Sequence, residues 1–371
     1  MQDQQRQVEL LGLCLAFRLE SAELAALRTE LFSDRAIWEK LTALAISEGL
    51  AKALEGSLRA RGLLISDFLP AESGRAGPDD KLRVAAAALS ERREVLGRYL
   101  RDVIRRLNGI GIEPIVIKGA QSLLTGEPDW RHLRDFDLFV PDRADDAQEE
   151  LLAMGFQVGE TDQRTRRHHL PPLVREDFPG FIEIHRRSGN QYLRTLLPSD
   201  EIAAASLSHS ESGLRFKLLP EHLYALYGLL HHHVGHSADA RGNVSIKGLY
   251  EFAWDLNCMS ELTRRATRTR ADRHPRMSVA LDSWIAAAAD LYRMPVQRPF
   301  EIRTDAAARW RRTLNRLEQL PPWYKYPGYL DEIPMGLDFR RILETPLGNS
   351  MPGRLWMRLR VVSSFLPKFS K

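Results

Sequence analysis

The chain has 371 residues, of which 44% are hydrophobic and 27% charged, a balance that excludes a disordered polymer and at this length points to two or three domains. Its formal charge of +4 suits anionic substrates such as nucleotides without singling out DNA or RNA. Two cysteines, Cys14 and Cys258, with no Cys-x-x-Cys spacing exclude a zinc frame and a disulfide scaffold, and both are expected in the apolar interior. The first residues contain no basic leader, and no stretch approaches the ~20 apolar residues of a membrane span. A cytoplasmic protein without stable membrane association is expected.

Residues 1–90 read as a helical region, with Leu10, Leu11, Cys14 and Phe17 at helical spacing and Ile37, Leu41, Leu44 and Ala45 repeating the pattern. Pro70 to Asp80 is a Gly- and Pro-rich loop. A long helix should follow, its apolar stripe carried by Leu96, Leu100, Val103, Ile104 and Leu107, and Asn108-Gly109 should stop it. Residues 91–200 change character. Ile115-Val116-Ile117 is a β-branched run, then come Lys118-Gly119 and a short helix around Leu123. DFDLFV from Asp135 to Val140 is a second strand, a helix closing on Gly155 follows, and FIEIHRR from Phe181 to Arg187 is a third. Such alternation makes an α/β module whose sheet can be mixed. From about Pro198 the chain is read as helical again, so that residues 201–371 form a mostly helical third region. The fold class expected is α+β, a small mixed sheet flanked by helices at both ends.

Residues two apart in a strand share a face. Asp135 and Asp137 therefore project together while Phe136 and Leu138 face a core, and on the third strand Glu183 and His185 share a face opposite Ile182 and Ile184. Two aspartates on one strand face repel each other unless a cation lies between them, and oxygen-only donors suit Mg²⁺ or Mn²⁺. If the two strands are neighbours, Asp135, Asp137 and Glu183 form a three-carboxylate cluster able to assist an in-line phosphoryl displacement. Lys118-Gly119 at a strand end, with Arg131 and Arg134, supplies backbone N–H groups and positive charge for a triphosphate, although neither a Walker loop nor a G-x-G-x-x-G is present.

Taken together, VIKGAQSLL, RHLRDFDLFV, the helix ending in LLAMGF, HHLPPL and FIEIH resemble a bacterial family of uncharacterised nucleotidyltransferases in the polymerase-β-like superfamily. The resemblance covers roughly seventy residues from Val116 to Arg186. It implies that Asp135 and Asp137 are the metal-binding pair, that Glu183 is the third acid, and that Gly119 is the glycine of the phosphate loop. Ala120 stands where the superfamily has a serine, which leaves Lys118 or Ser122 to compensate. The implied reaction moves a nucleoside monophosphate from a nucleoside triphosphate to a hydroxyl acceptor on a small molecule, peptide or RNA end, with His185 orienting Glu183 or touching the nucleotide. A non-catalytic binding module built on a degenerate transferase fold is the alternative.

Other features are less specific. His232 and His236 in HHHVGH share a helical face, but His233 stands where a metalloprotease has glutamate, so a pocket-wall role for His232 and His236 is preferred to zinc. The resemblance also places Glu251 at the acceptor pocket, against the plainer reading of a solvated helix edge. His168 and His169 lie in a polar loop with Arg164, Arg166 and Arg167. The basic runs 264–276, 309–312 and 354–360 are read as solvated faces.

Overall fold

A computed structural model describes residues 2–64, 79–159, 168–235, 245–308 and 310. Four helices open the chain: α1 (Gln2–Cys14), α2 (Ser21–Ser33), α3 (Arg35–Ser47) and α4 (Ala51–Ala60). The long helix follows as α5 (Asp80–Gly109), ending where Asn108-Gly109 was expected to end it. Then come β1 (Ile115–Ile117), a 3-10 turn at Lys118–Ala120, α6 (Gln121–Thr125), β2 (Asp135–Phe139), α7 (Ala144–Ala153) and the short strands β3 (Gln157–Val158) and β4 (Leu173–Val174). After β5 (Phe181–His185) the chain forms α8 (Gln191–Leu196), α9 (Ser199–Ala205), β6 (Leu207–Glu211), β7 (Leu214–Leu218) and α10 (Glu221–Leu230). It continues through α11 (Ile246–Cys258), α12 (Glu261–Asp272) and α13 (Pro275–Tyr292).

The strands form one mixed seven-stranded sheet in the order β3-β4-β5-β2-β1-β7-β6. β2 runs antiparallel to β1 and parallel to β5. This confirms the α+β class and the adjacency of the Asp-x-Asp strand to the Glu183 strand.

Period-two alternation decides which face each side chain takes. Val116, Phe136, Leu138, Ile182 and Ile184 point into a hydrophobic cluster shared with the α5 stripe and with Leu151 of α7. Ile115, Ile117 and Phe139 belong to a second cluster on the other face, built with α10, α11 and α13 and with the N-terminal helices. Helices from the first and third regions thus share one core. At their contact a Cβ on Gly12 would lie 2.5 Å from the Leu291 carbonyl, so α1 and α13 meet where a side chain has no room.

Two expectations need correction. The chain from Pro198 to Leu218 is not wholly helical: β6 and β7 form a hairpin, and β7 pairs in parallel with β1. Ser212 and Gly213 both have positive φ, as a two-residue hairpin turn requires. Cys258 is exposed rather than in the core, whereas Cys14 is buried. Among the described residues no helix is long and apolar enough to cross a membrane.

Phe136 is fully buried between the sheet and α5. Phe136→Ala should therefore lower the free energy of unfolding by about 3–5 kcal/mol, read by urea denaturation.

Candidate functional site

The register sets the site. Asp137 of β2 lies opposite Glu183 of β5 on one side and opposite Ile117 of β1 on the other, so the residue after β1, Lys118, reaches the same place. Lys118 Nζ donates to Asp137 Oδ1 at 2.6 Å and lies 3.9 Å from Glu183 Oε2. His185 Nε2 donates to the same Asp137 oxygen at 2.7 Å and sits 3.3 Å from Glu183 Oε2. One buried carboxylate oxygen therefore joins three strands.

Local backbone makes this reach possible. Lys118 has φ 54°, a left-handed conformation uncommon for a residue with a side chain. Gly119 serves close packing: a Cβ there would lie 2.3 Å from a Leu133 methyl. Gln121 of α6 exchanges hydrogen bonds of 3.1 Å with the backbone of Leu219, which fixes the turn against the start of α10.

The charges follow from burial and neighbours. Burial raises the Asp137 carboxyl, but the Lys118 ammonium and His185 outweigh it and hold Asp137 well below the usual carboxylate range. Burial opposes protonation of His185, and its bonds to Asp137 and Glu183 overcome that and raise it. Asp135 behaves oppositely: burial, reinforced by Asp137 and Glu183, pushes it up to about 6. Negative charge at the Asp135 end of the row is thus incompletely compensated. His168 and His169 flank His185 with ring centroids at 5.7 and 5.4 Å. His169 Nδ1 donates to the Leu170 carbonyl, and burial with His185 and His169 alongside pushes His168 down to about 3.

Ligand atoms of Asp137, Glu183 and His185 all lie within 4.8 Å of one another, so the three residues could hold a divalent cation. His185 Nε2 faces both carboxylates and would have to give up its proton to ligate. Asp135 is not part of this compact trio, though it shares the strand face two residues back along β2.

A family model described as uncharacterised nucleotidyltransferase matches residues 34–287, a span that contains the whole carboxylate row. The chain belongs to that family. No curated protein and no solved structure matches it. In this nucleotidyltransferase family member the remaining sequence-selected residues occupy varied places. Ser122 is buried, its hydroxyl donating to the Gly119 carbonyl while Arg93 Nη1 donates to it at 3.1 Å. Arg134 is exposed at the mouth of β2.

Arg131 turns away from the carboxylate row. Its guanidinium is buried, donates to Asp255 at 3.0 and 3.2 Å and to the Tyr224 hydroxyl, and lies 3.6 Å from Glu251. Glu251 also faces Lys247 at 3.6 Å. His232 packs against Gly248 one turn along α11, where a Cβ would lie 2.7 Å from its ring, so Glu251 and His232 do sit in one region. His236, Arg164, Arg166 and Arg167 lie outside the described residues, as does the run 354–360. The run 264–276 is mostly on α12, where Arg265, Arg268 and Arg270 are paired with Glu261, Asp272 and Glu201.

Sequence reasoning did not select Asp255, Tyr224 or Arg92 as site residues. Asp255 stands one helical turn from Glu251 on α11; Arg92, which donates to the Leu133 carbonyl at 3.0 Å, carried no signal at all.

Two predictions arise from this geometry. Arg131→Ala leaves Asp255 buried without its cation and Glu251 with Lys247 alone, and should destabilise the fold by roughly 3–5 kcal/mol in chemical denaturation. The second concerns His132, which burial, with Lys247, Arg92 and Arg134 nearby, pushes down to about 4. An unfolded chain binds that proton near ~6.5. The stability linked to His132 is therefore complete above about pH 6.5 and lost as pH falls through about 4. In His132→Gln the fall in Tm between about pH 7 and pH 4 should be shallower than in the parent, and an equally steep fall would refute the assignment.

Proposed function

We propose that the protein is a metal-dependent nucleotidyltransferase that moves a nucleoside monophosphate from a nucleoside triphosphate to a hydroxyl acceptor. The observation that carries this reading is the Asp137–Glu183–His185 cluster on neighbouring strands in a chain of the nucleotidyltransferase family. Asp137, Glu183 and His185 would hold Mg²⁺ or Mn²⁺, with Asp135 closing the cluster as its excess negative charge is offset. A divalent cation bound there neutralises charge developing on the transferred phosphoryl group.

The chain's own groups then divide the work. Lys118 has φ 54° at the end of β1 and supplies a second positive charge beside Asp137, positioned where a triphosphate would approach Gly119. Glu183, with its side chain 17% exposed against 3% for Asp137, is more open to an acceptor than Asp137. It takes the acceptor's proton as the hydroxyl oxygen bonds to the α-phosphorus and the bond to the β-phosphate oxygen breaks, releasing pyrophosphate. The region holding Glu251 and His232 is the proposed wall of the acceptor pocket.

A second reading, a nucleotide-binding module without turnover, is favoured by Ala120 and by the inward hydrogen bond of Ser122. Pyrophosphate release separates the two. With Mg²⁺ or Mn²⁺ and each of the four triphosphates, the parent should release pyrophosphate, and Asp137→Asn should reduce the rate on the order of 100-fold or more. Triphosphate binding without release in the parent would leave the module reading standing.

A further inference from the structure

A groove of ≈ 560 Å³ opens where β2 and β5 begin. It is lined by Arg92 of α5, His132 and Arg134 before β2, Arg175 after β4, and the apolar Phe178 and Phe181 at the approach to β5. We propose that this groove binds the phosphate group of a nucleotide-sized acceptor, so that the molecule modified is itself phosphorylated. This rests on the transferase reading for the word acceptor, but the phosphate site is argued from the groove alone.

Charge is the first argument. Three arginines line the groove and, among the described residues, no carboxylate does, although Arg175 is paired with Asp177 beside it. Arg134 is exposed, and its guanidinium makes no hydrogen bond or ion pair with the described residues. Arg92 is held by backbone carbonyls, donating to Leu133 O at 3.0 Å and to Arg134 O at 3.4 Å, so its charge is oriented by backbone dipoles, with Asp135 acting on it only across space. Arg175 is fixed by Asp177 at 2.6 Å and by the rings of Tyr99 and Phe156 at 4.8 and 4.7 Å. Arg92 and Arg134 repel one another. An anion shared between the planar guanidinium groups relieves that repulsion, and phosphate matches their fork of donors.

Size and surface are the second argument. The volume falls within the roughly 300–1,000 Å³ typical of small-molecule sites. The apolar walls give a sugar or base something to lie against, and the arginines give the phosphate its partners.

Position is the third. The sheet order places β5 and β4 on one side of β2 and β1 on the other. Gly119, where the donor's triphosphate is proposed to lie, is on the β1 side, while the groove is on the β5 side, directly beside Asp135 and its partner Phe181. Two phosphate-bearing substrates would thus approach the carboxylate row from opposite flanks. A groove serving the donor would be expected on the Gly119 flank.

The test measures equilibrium binding of adenosine 5′-monophosphate, ribose 5-phosphate and adenosine in EDTA, where the carboxylate cluster holds no metal. The two phosphates should bind at least about tenfold more tightly than adenosine, with an affinity that falls as salt rises. Arg134→Ala should weaken them about tenfold, Arg134→Lys much less, and Asp137→Asn should leave them unchanged. Because Arg134 is exposed, its two variants are expected to fold, and the Tm of all three variants verifies it. Adding a non-hydrolysable triphosphate with Mg²⁺ should leave monophosphate binding intact. Competitive displacement would assign the groove to the donor and overturn the proposal, as would equal binding of adenosine and its monophosphate. Phosphate binding that depends on Arg134 without pyrophosphate release under any condition would instead sink the transferase reading and leave the groove's anion site in place.

Discussion

One oxygen holds the site together. Asp137 Oδ1 accepts from both Lys118 and His185, and those residues come from three different chain segments meeting on adjacent strands. A buried carboxylate is costly unless paired and hydrogen-bonded, and here a single atom receives two charge-assisted donors. The left-handed backbone at Lys118 and the close approach of Gly119 to Leu133 make sense as the conditions for bringing an ammonium to that oxygen. The same arrangement holds Asp137 ionised while Asp135, on the same face but without such partners, is pushed up to about 6. Two aspartates of one motif thus differ because their environments differ, not because the strand treats them differently.

A second buried charge cluster ties the two halves of the molecule. Arg131 leaves the loop before β2 and ends among Tyr224 of α10 and Glu251 and Asp255 of α11. Asp255 is pushed up to about 6 by burial with Glu251 beside it, despite Arg131. The cluster's consequence is geometric: the start of β2, and with it the placement of Asp135, is coupled to the helices that carry Glu251 and His232. Motion of α11 relative to the sheet would disturb both together.

Much of the fold was legible in the sequence because periodicity is a local signal. The apolar stripe of α5, the β-branched run of β1 and the alternation of β2 and β5 each declare their own geometry. The same alternation showed that Glu183 and His185 share a face with the Asp-x-Asp pair, once the strands proved adjacent. The hairpin was hidden for a physical reason: β6 is exposed along its whole length, and LSHSE offers no apolar alternation to read. β7, by contrast, does alternate in burial, and its LRFKL pattern with the Ser212-Gly213 turn was the missed clue. β3 and β4, two residues each, carry no period at all. Long-range pairings were beyond reach, since nothing local links Arg131 to Asp255 124 positions away.

The short run RHLRD shows why residue type alone does not assign a role. Arg131 and Arg134 are the same side chain three positions apart, and both looked suited to a triphosphate. Arg131 is buried against two carboxylates and a phenol, so its charge is compensated within the protein and stabilises the junction between sheet and helices. Arg134 is exposed beside Arg92 and makes no ion pair among the described residues, so its charge is available to something outside the protein. What separates structure from recognition here is the location of the compensating anion. Where the protein supplies it, the arginine is part of the scaffold; where the protein withholds it, the arginine defines the chemistry of what binds.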